Sequence, residues 1–245
     1  KYINAGLVSN KGVELMLYGT PVKTKDFSFD LTINMAHNLS EVVELTPEKK
    51  EVIFNEGESN FIIDVGAREG GKLGDIYPIQ SYKRDNNGNI IIRDGYPLIE
   101  ESKGNDRKAI GNIQPKLLMS VTPSFAYKGI YLTALFDMKF GGDIVSMSES
   151  VATNYGMAKR TENRGTITVK GVNEDGTPNT TAVDAESYYK RIANVAEEFL
   201  YDASFIKLKE LSLGYSFPKT LLKKTPFNSL KVAFVARNLC YLMSH

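Results

Sequence analysis

Cysteine, histidine and tryptophan are nearly missing from this chain, with one, two and no residues respectively. The single thiol of Cys240 cannot form an internal disulfide, and no second cysteine offers metal-ligand spacing. His37 and His245 are far apart and no cysteine accompanies them, so they predict no metal site. Neither a Ser/His/Asp nor a Cys/His arrangement can be proposed from these residues. The sequence therefore predicts a protein that is not an enzyme and holds no cofactor or metal.

An excess of one charge and a long apolar run are also missing. Lys and Arg total 30 and Asp and Glu total 29, and this balance gives no reason to expect nucleic acid as a partner. No run reaches the roughly 18 apolar residues of a transmembrane helix. The chain begins without Met or a signal-peptide pattern, and it stops directly after a strand-like run that ends at Met243. We interpret both ends as cut and residues 1–245 as a fragment of one longer domain.

The chain instead shows strict alternation, the period of a β-strand with two different faces. Within 27–38 the apolar residues occupy the odd positions, and within 130–141 they occupy the even positions. Four further segments follow the rule less strictly: 13–18, 116–127, 210–217 and 230–237. A shift of one residue would exchange the two faces, so the pattern predicts about six antiparallel strands of defined register.

Two places interrupt this alternation. Pro123 stands in mid-strand on the apolar side and cannot donate a hydrogen bond, so we expect a β-bulge there. Ile206 and Leu208 occupy positions that belong to the otherwise polar face, so the alternation of the fifth strand breaks before Glu210.

Short and long connections alternate between the predicted strands. The links at 23–26, 128–129 and 218–227 are short, whereas those at about 46–115 and 144–202 are long. This order is typical of bacterial outer-membrane barrels, which have short periplasmic turns and long extracellular loops. Inside the first long loop, Asp85–Asn89 predicts a hairpin turn. A calcium loop matches less well, because the segment does not have the glycine and the acidic residue at the positions that such a loop requires. Inside the second, Asp184 is expected to cap a helix that runs to about Phe199.

The apolar strand faces could contact lipid, or they could be buried in a soluble protein with one wet sheet face. They carry almost no charge through the strand centres, as hydrocarbon requires. Aromatic residues stand near the short turns, where a membrane-interface girdle would place them: Phe27, Phe29, Tyr127, Tyr131, Tyr215 and Phe217. We favour a transmembrane β-barrel, for which six strands are too few to close, and keep a soluble β-sandwich that binds glycans as the alternative.

Seven segments resemble, in order, the C-terminal barrel region of the SusC/RagA family of TonB-dependent outer-membrane receptors. They are Asn4–Leu15, Thr24–Asp30, Ile110–Pro115, Tyr127–Leu132, Gly141–Ile144, Asp202–Pro218 and Ala236–Leu239. The longest reads Asp-Ala-Ser-Phe-Ile-Lys-Leu-Lys-Glu-Leu-Ser-Leu-Gly-Tyr-Ser-Phe-Pro, and the last reads Ala-Arg-Asn-Leu. Each segment alone is moderately specific, and together they span nearly the whole chain.

The resemblance implies a barrel of about 22 strands with a plugged lumen, of which the plug domain and the final strands lie outside this sequence. It also implies TonB-driven nutrient uptake across the bacterial outer membrane, with oligosaccharides (glycans) or peptides as cargo. A SusD-like surface lipoprotein would be the partner, and TonB would bind the missing N-terminal part. A passive porin stays as a further alternative, and the sequence does not name the cargo.

Polar residues on the predicted strands would face the barrel lumen, where they could contact the plug or the cargo. They are Glu14, Asp30, Asn34, Asp137, Lys139 and Arg237. Aromatic residues in the long loops could stack on sugar rings near the cargo, although packing within the loops is the other interpretation. They are Tyr96, Tyr155 and Tyr188.

Overall fold

The computed structural model describes residues 6–46, 50–54, 62–102, 107–223 and 225–244. Asn4, Ala5 and His245, discussed above, lie outside these ranges. The strands are β1 (Leu7–Lys23), β2 (Phe27–Glu44), β3 (Glu51–Ile53), β4 (Ile63–Arg68), β5 (Asp75–Pro78), β6 (Gln80–Tyr82), β7 (Ile91–Arg93), β8 (Tyr96–Pro97), β9 (Ile99–Glu101), β10 (Gly111–Asn112), β11 (Leu117–Tyr127), β12 (Ile130–Phe140), β13 (Asp143–Val145), β14 (Thr166–Thr168), β15 (Val172–Asn173), β16 (Ala182–Asp184), β17 (Leu200–Asp202), β18 (Phe205–Ser216) and β19 (Lys231–Ser244). The helices are α1 (Met147–Asn154), α2 (Ala185–Ile192) and α3 (Lys219–Leu222), with 3₁₀ turns at Lys159–Thr161 and Ala196–Phe199.

The chain divides into two compact units, which we call the sheet unit and the loop unit. The sheet unit comprises Asn10–Leu39, Pro115–Gly142 and Asp202–His245. The loop unit comprises Lys1–Ser9, Ser40–Gln114 and Asp143–Tyr201. The two predicted long loops therefore contribute to one folded unit instead of forming two separate excursions.

The sheet unit is built on one six-stranded sheet in the order β1-β2-β11-β12-β18-β19. From β2 to β19 the neighbouring strands pair antiparallel. Apolar residues lie side by side in rows across these strands. One such row consists of Phe29, Phe125, Leu132, Leu213 and Phe234. The predicted strands and their two-faced alternation are confirmed.

A β-bulge in β18 explains why the alternation breaks before Glu210. Glu210 pairs with Leu135, but Leu208 already pairs with the next residue of β12, so Lys209 has no partner on that strand. One extra residue reverses the parity of everything that precedes it. Ile206 and Leu208 thereby join the apolar face, and the apparent exception in the sequence disappears.

The bulge expected at Pro123 is wrong. Pro123 lies in an unshifted ladder with β2. Toward β12, Val121 opposes Phe136 and Ser124 opposes Thr133, so no residue is inserted between them. The missing N–H of the proline leaves a gap in the ladder on this side, and the register continues past it.

Tight turns join the strands at the short links. Lys128 and Gly129 both have positive φ, 46° and 90°, as a two-residue type I′ hairpin requires. At the first link the Thr24 N–H donates to the Phe27 carbonyl at 2.7 Å. The third link contains α3.

The loop unit contains a small antiparallel sheet in the order β10-β5-β4-β3 and several two- or three-stranded pairings. The predicted hairpin is right at its tip, where the Asp85 N–H donates to the Asn89 carbonyl at 2.9 Å. Its arms diverge, however, because β6 pairs with β9 and β7 pairs with β8. Three apolar clusters, around Phe199, Ile192 and Ile92, form its interior.

The predicted helix of the second loop begins where expected and ends early. The Asp184 carboxylate accepts the Ser187 amide at 2.8 Å and caps α2. The α-helix ends at Ile192, and a 3₁₀ turn that includes Phe199 follows it. Ile192 and Phe199 are nevertheless both buried, as the apolar stripe of the predicted helix requires. None of the helices in the described ranges has the length and apolarity to cross a membrane.

Candidate functional site

The polar face of the sheet unit brings together the predicted lumen-facing residues. Asn34 lies opposite Ser120, and Ser120 lies opposite Asp137, so the three form one row across three strands. Asp30 shares this face because it stands an even number of positions from Asn34 on the same strand. Lys139 shares it with Asp137 for the same reason.

Glu14 and Arg237 complete this set. Glu14, Asn34 and Asp137 line one open depression of about 560 Å³ on the polar face. Arg237 lies opposite Glu210 on the neighbouring strand. All six candidate residues therefore share one face of one sheet, although Glu14 on β1 and Arg237 on β19 lie on its two opposite edge strands.

Hydrogen bonds and ion pairs link neighbouring strands on the polar face. Lys209 Nζ lies 2.8 Å from Asp137 Oδ2. Arg237 Nε lies 2.8 Å from Glu210 Oε2. The Asn34 amide donates to the Ser120 hydroxyl at 3.2 Å. These contacts orient polar groups along the face and leave it mixed in charge.

Lys209 contacts the polar face of the sheet, and the sequence alone did not place it there. Its odd position assigns it to the apolar side of an unbroken strand, where a lysine would be out of place. The bulge at this residue brings its side chain to Asp137 instead. A charged residue in the apolar register of a strand was the signal that could have revealed the bulge.

The opposite face of the sheet is apolar and exposed. Phe234, Leu213 and Phe125 expose 75%, 52% and 40% of their surface. Near the short turns, the rings of Phe29 and Phe125 stack with centroids 4.7 Å apart. Contiguous apolar surface of this extent marks contact with a membrane or with other protein.

Tyr131 lies near a short turn but does not belong to the expected membrane-interface girdle, because its side chain is on the polar face. It pairs with Ala126 on the polar face. There its ring covers Gly214, where an added Cβ would lie 2.4 Å from the ring. The glycine is needed because the tyrosine ring occupies the space of a side chain.

The three candidate aromatic residues of the loops have different environments. Tyr96 packs against the cluster around Ile92, with the Arg191 guanidinium 5.9 Å from its ring centre. Tyr188 packs against two of the apolar clusters. Tyr155 exposes 72% of its surface. Of the three, Tyr155 has the ring that is accessible to a ligand.

Burial gives Tyr188 a testable pH signature. Desolvation, followed by the charge of Glu198, raises the pKa of its hydroxyl from 10.0 to about 12. The protonated form therefore stabilises the loop unit fully below pH 10, and this contribution is lost as the pH rises through about 12.

We expect the phenolate absorbance titration of the protein, minus that of its Tyr188→Phe variant, to show a midpoint near 12. A midpoint close to 10, the ordinary value of a tyrosine, would show that the ring is solvated.

Arg160 joins separate segments of the loop unit. Its guanidinium lies 3.2 Å from the Glu149 carboxylate, 3.1 Å from that of Glu198 and 5.0 Å from the Phe199 ring centre. The Tyr82 hydroxyl donates to Glu198 at 2.8 Å, and burial together with this carboxylate raises the pKa of Tyr82. This partly buried network holds the two long loops in one arrangement.

No protein-family model matches the chain. The TonB-dependent receptor P3 of Formosa agariphila is 25% identical over 253 residues, which cover 96% of this chain and 24% of that protein. The TonB-dependent receptor SusC of Bacteroides thetaiotaomicron is 24% identical over 240 residues, covering 87% of this chain and 21% of SusC. The resemblance to the SusC/RagA family is confirmed.

Solved structures agree with this SusC/RagA resemblance at the level of fold. The RagAB peptide importer in its closed-closed state superposes on 100% of this chain and 27% of its own, with a TM-score of 0.66 and 21% identity. A RagAB peptide transporter structure gives a TM-score of 0.61 and 20% identity. The six-stranded sheet thus has the fold of part of a TonB-dependent receptor barrel. The chain spans about a quarter of the length of the curated relatives it matches.

Proposed function

We propose that this chain forms part of a TonB-dependent importer in the bacterial outer membrane. The importer takes up oligosaccharides or peptides and works with a SusD-like surface lipoprotein. The observation that carries the proposal is the six-stranded sheet with one apolar, exposed face and one polar face. A barrel wall needs these two faces, because one side contacts lipid and the other lines the lumen.

The sheet edges support the same proposal. β1 and β19 are the outermost strands of the sheet, and each has one side without a partner strand among the described residues. In lipid, unpaired backbone groups are too costly to persist, so a membrane-spanning sheet must close on itself. The remainder of a receptor about four times this length would supply the closing strands.

The polar face is the proposed lumen wall. Glu14, Asp30, Asn34, Asp137, Lys139 and Arg237 would face the plug domain and the cargo. Their mixed charges and mutual pairing suit contact with a polar protein surface. The loop unit would be extracellular and would help to form the mouth of the barrel, where the lipoprotein docks.

The alternatives are less well supported. A soluble β-sandwich would bury the apolar face, whereas Phe234 and Leu213 are more than half exposed. The relatives are named as receptors, not as enzymes. A passive porin differs from an importer in its independence of TonB, and that difference can be measured directly.

The full-length parent protein provides the test. It should be extracted from cell envelopes only with detergent, run with a heat-dependent shift on a gel, and co-purify with a surface lipoprotein. Uptake of its cargo should stop in cells that lack TonB. Uptake that continues without TonB would indicate a porin, and a parent protein that is soluble and shows no heat shift would overturn the membrane assignment.

A further inference from the structure

The short-turn end of the sheet unit has an excess of positive charge that the whole chain does not have. Its three turns lie side by side, because the Lys128 N–H donates to the Asp26 carbonyl at 2.9 Å and the Ser216 N–H donates to the Gly129 carbonyl at 2.7 Å. These turns contain five exposed lysines: Lys23, Lys25, Lys128, Lys219 and Lys223. The net charge of the chain is only +1, so the fold gathers at one end lysines that are scattered in the sequence.

One carboxylate accompanies these five lysines. Residues 23–28, 127–131 and 215–231 contain Asp26 and no other acidic residue. The lysines that form ion pairs within the described ranges are Lys50, Lys190 and Lys209, and none of them lies in these turns. Five ammonium groups and one carboxylate leave an excess of four positive charges. Lys231 is close by, but as the ladder partner of Ser216 it belongs to the polar face.

The lysines stand at the border of the apolar face. Lys23 is three positions from Thr20, whose hydroxyl donates to Asp30 on the polar face at 2.6 Å, so Lys23 has the parity of the apolar face. The Lys128 ammonium lies 5.3 Å from the ring centre of Tyr127, a ring of the apolar face. Lysines beside aromatic rings at the end of an apolar band can extend their ammonium groups to the level of lipid headgroups.

The link between β18 and β19 combines charge with exposed apolar side chains. Leu221 exposes 63% of its surface and Phe227 exposes 56%. Lys219 and Lys223 belong to the same link, which contains α3. Cationic and apolar side chains that are exposed together are typical of segments that lie at a membrane surface. A turn that contacts only water would account for the lysines but not for the leucine and the phenylalanine beside them.

A layer of phosphate groups fits this surface better than one discrete anion does. The five ammonium groups are exposed and spread over three turns, so they do not enclose a single phosphate. A lysine carries a point charge on a flexible stem and can follow headgroups that move. Lysines close to an anionic leaflet each add to the attraction, so a row of them favours an anionic lipid surface.

We propose that the short-turn end of the sheet binds anionic glycerophospholipids of the periplasmic leaflet. The five lysines contact the headgroup phosphates, and the adjoining apolar side chains contact the acyl chains. The proposal rests on the proposed function, because only a membrane-spanning sheet with periplasmic short turns brings this end to that leaflet. It adds a lipid partner to the cargo and the lipoprotein.

Native mass spectrometry of the full-length receptor in a neutral detergent tests the proposal. The probes are dioleoyl phosphatidylglycerol and dioleoyl phosphatidylcholine, which differ in headgroup charge and share the same acyl chains. We expect phosphatidylglycerol to bind more tightly. The triple variant Lys23→Gln/Lys25→Gln/Lys128→Gln should weaken its binding about fivefold or more, since one lysine near an anionic surface contributes roughly that factor. Binding of phosphatidylcholine should not change.

Three exposed lysines of the loop unit provide the matched control. The variant Lys108→Gln/Lys159→Gln/Lys170→Gln removes the same charge at a distance from the short turns and should keep the preference for phosphatidylglycerol. Both variants should run as heat-modifiable bands, which shows that weaker lipid binding does not come from misfolding.

Equal binding of the two lipids, or an equal loss in the two triple variants, would overturn the proposal. Tighter binding of pentaglutamate than of phosphatidylglycerol would also overturn it, and would indicate an acidic protein segment as the partner of these turns. A heat-modifiable receptor without a lipid preference would leave the importer function intact and remove only this inference. A parent protein that is soluble without detergent would remove both.

Discussion

Replacing Val121 by lysine is expected to remove most of the folded receptor from the outer membrane. Val121 lies at the middle of β11 on the apolar face, opposite Ile33 on one side and Phe136 on the other. A lysine on the lipid face near the bilayer midplane costs about 2–4 kcal/mol. The measurement is the fraction of full-length protein that runs as the heat-modifiable band in the outer-membrane fraction.

The adjacent substitution Thr122→Lys is the matched control. Thr122 lies opposite Thr32 on the polar face, where a lysine can stay in contact with water or with polar protein. We expect this variant to keep most of the heat-modifiable band. Equal loss in the two variants would mean that the faces do not differ in environment, which would contradict the barrel proposal.

Deleting Thr133 is expected to prevent the sheet from forming, whereas deleting Lys209 is expected to be tolerated. Thr133 lies in the regular part of β12, and its loss would exchange the faces of all residues on one side of the deletion. Lys209 is the extra residue of the bulge and has no partner in β12. Its removal restores plain alternation toward β12 and loses a partly exposed ion pair, worth about 0–1 kcal/mol. Toward β19 the register already shifts between Leu208 and Glu210, so no regular ladder is broken there.

The two deletions remove one residue each, so general effects of shortening the chain are the same in both. The heat-modifiable fraction and the protease resistance of the folded band are the readouts. If the Lys209 deletion fails as completely as the Thr133 deletion, the bulge is required and the parity explanation of β18 is wrong.

Alternation made the sheet predictable because a barrel wall places opposite demands on its two faces. Phe29 and Leu132 could be assigned to one face, and Asp30 and Asp137 to the other, from parity alone. The structure groups them as that assignment requires. The same reasoning identified the polar candidates but gave no information on which of them pair.

Bulges change parity without changing composition, so the sequence reveals them only where a residue such as Lys209 falls in the wrong register. β19 continues to Ser244 through Asn238, which has a φ of 54°, and two shifts in its pairing with β18 accompany this stretch. After Arg237 the apolar and polar residues therefore no longer alternate in the sequence, although the strand continues. Pro123 is the opposite case. Proline is unfavourable in the middle of a strand, yet the register of β11 with β2 continues past it without a shift.

The packing of the loop unit lay beyond sequence reasoning for a different reason. Glu149, Arg160 and Glu198 come from three separate segments, and nothing in the local pattern of any one of them points to the others. Tyr155 could be named as an aromatic of the second loop, but its exposure depends on the folded loop. Contacts between distant segments, such as those of Arg160, decide this arrangement.

The direct pairing of β2 with β11 has a consequence for how such proteins diversify. Ala36 and Leu118 are ladder partners, so the segment between these two residues begins and ends at neighbouring positions, a few ångströms apart. A loop with adjoining ends can grow or shrink with little penalty, since each doubling of its length costs only about 0.6 kcal/mol of closure entropy. Segments inserted at this position can therefore differ in length between homologues while the pairing of β2 with β11 stays unchanged.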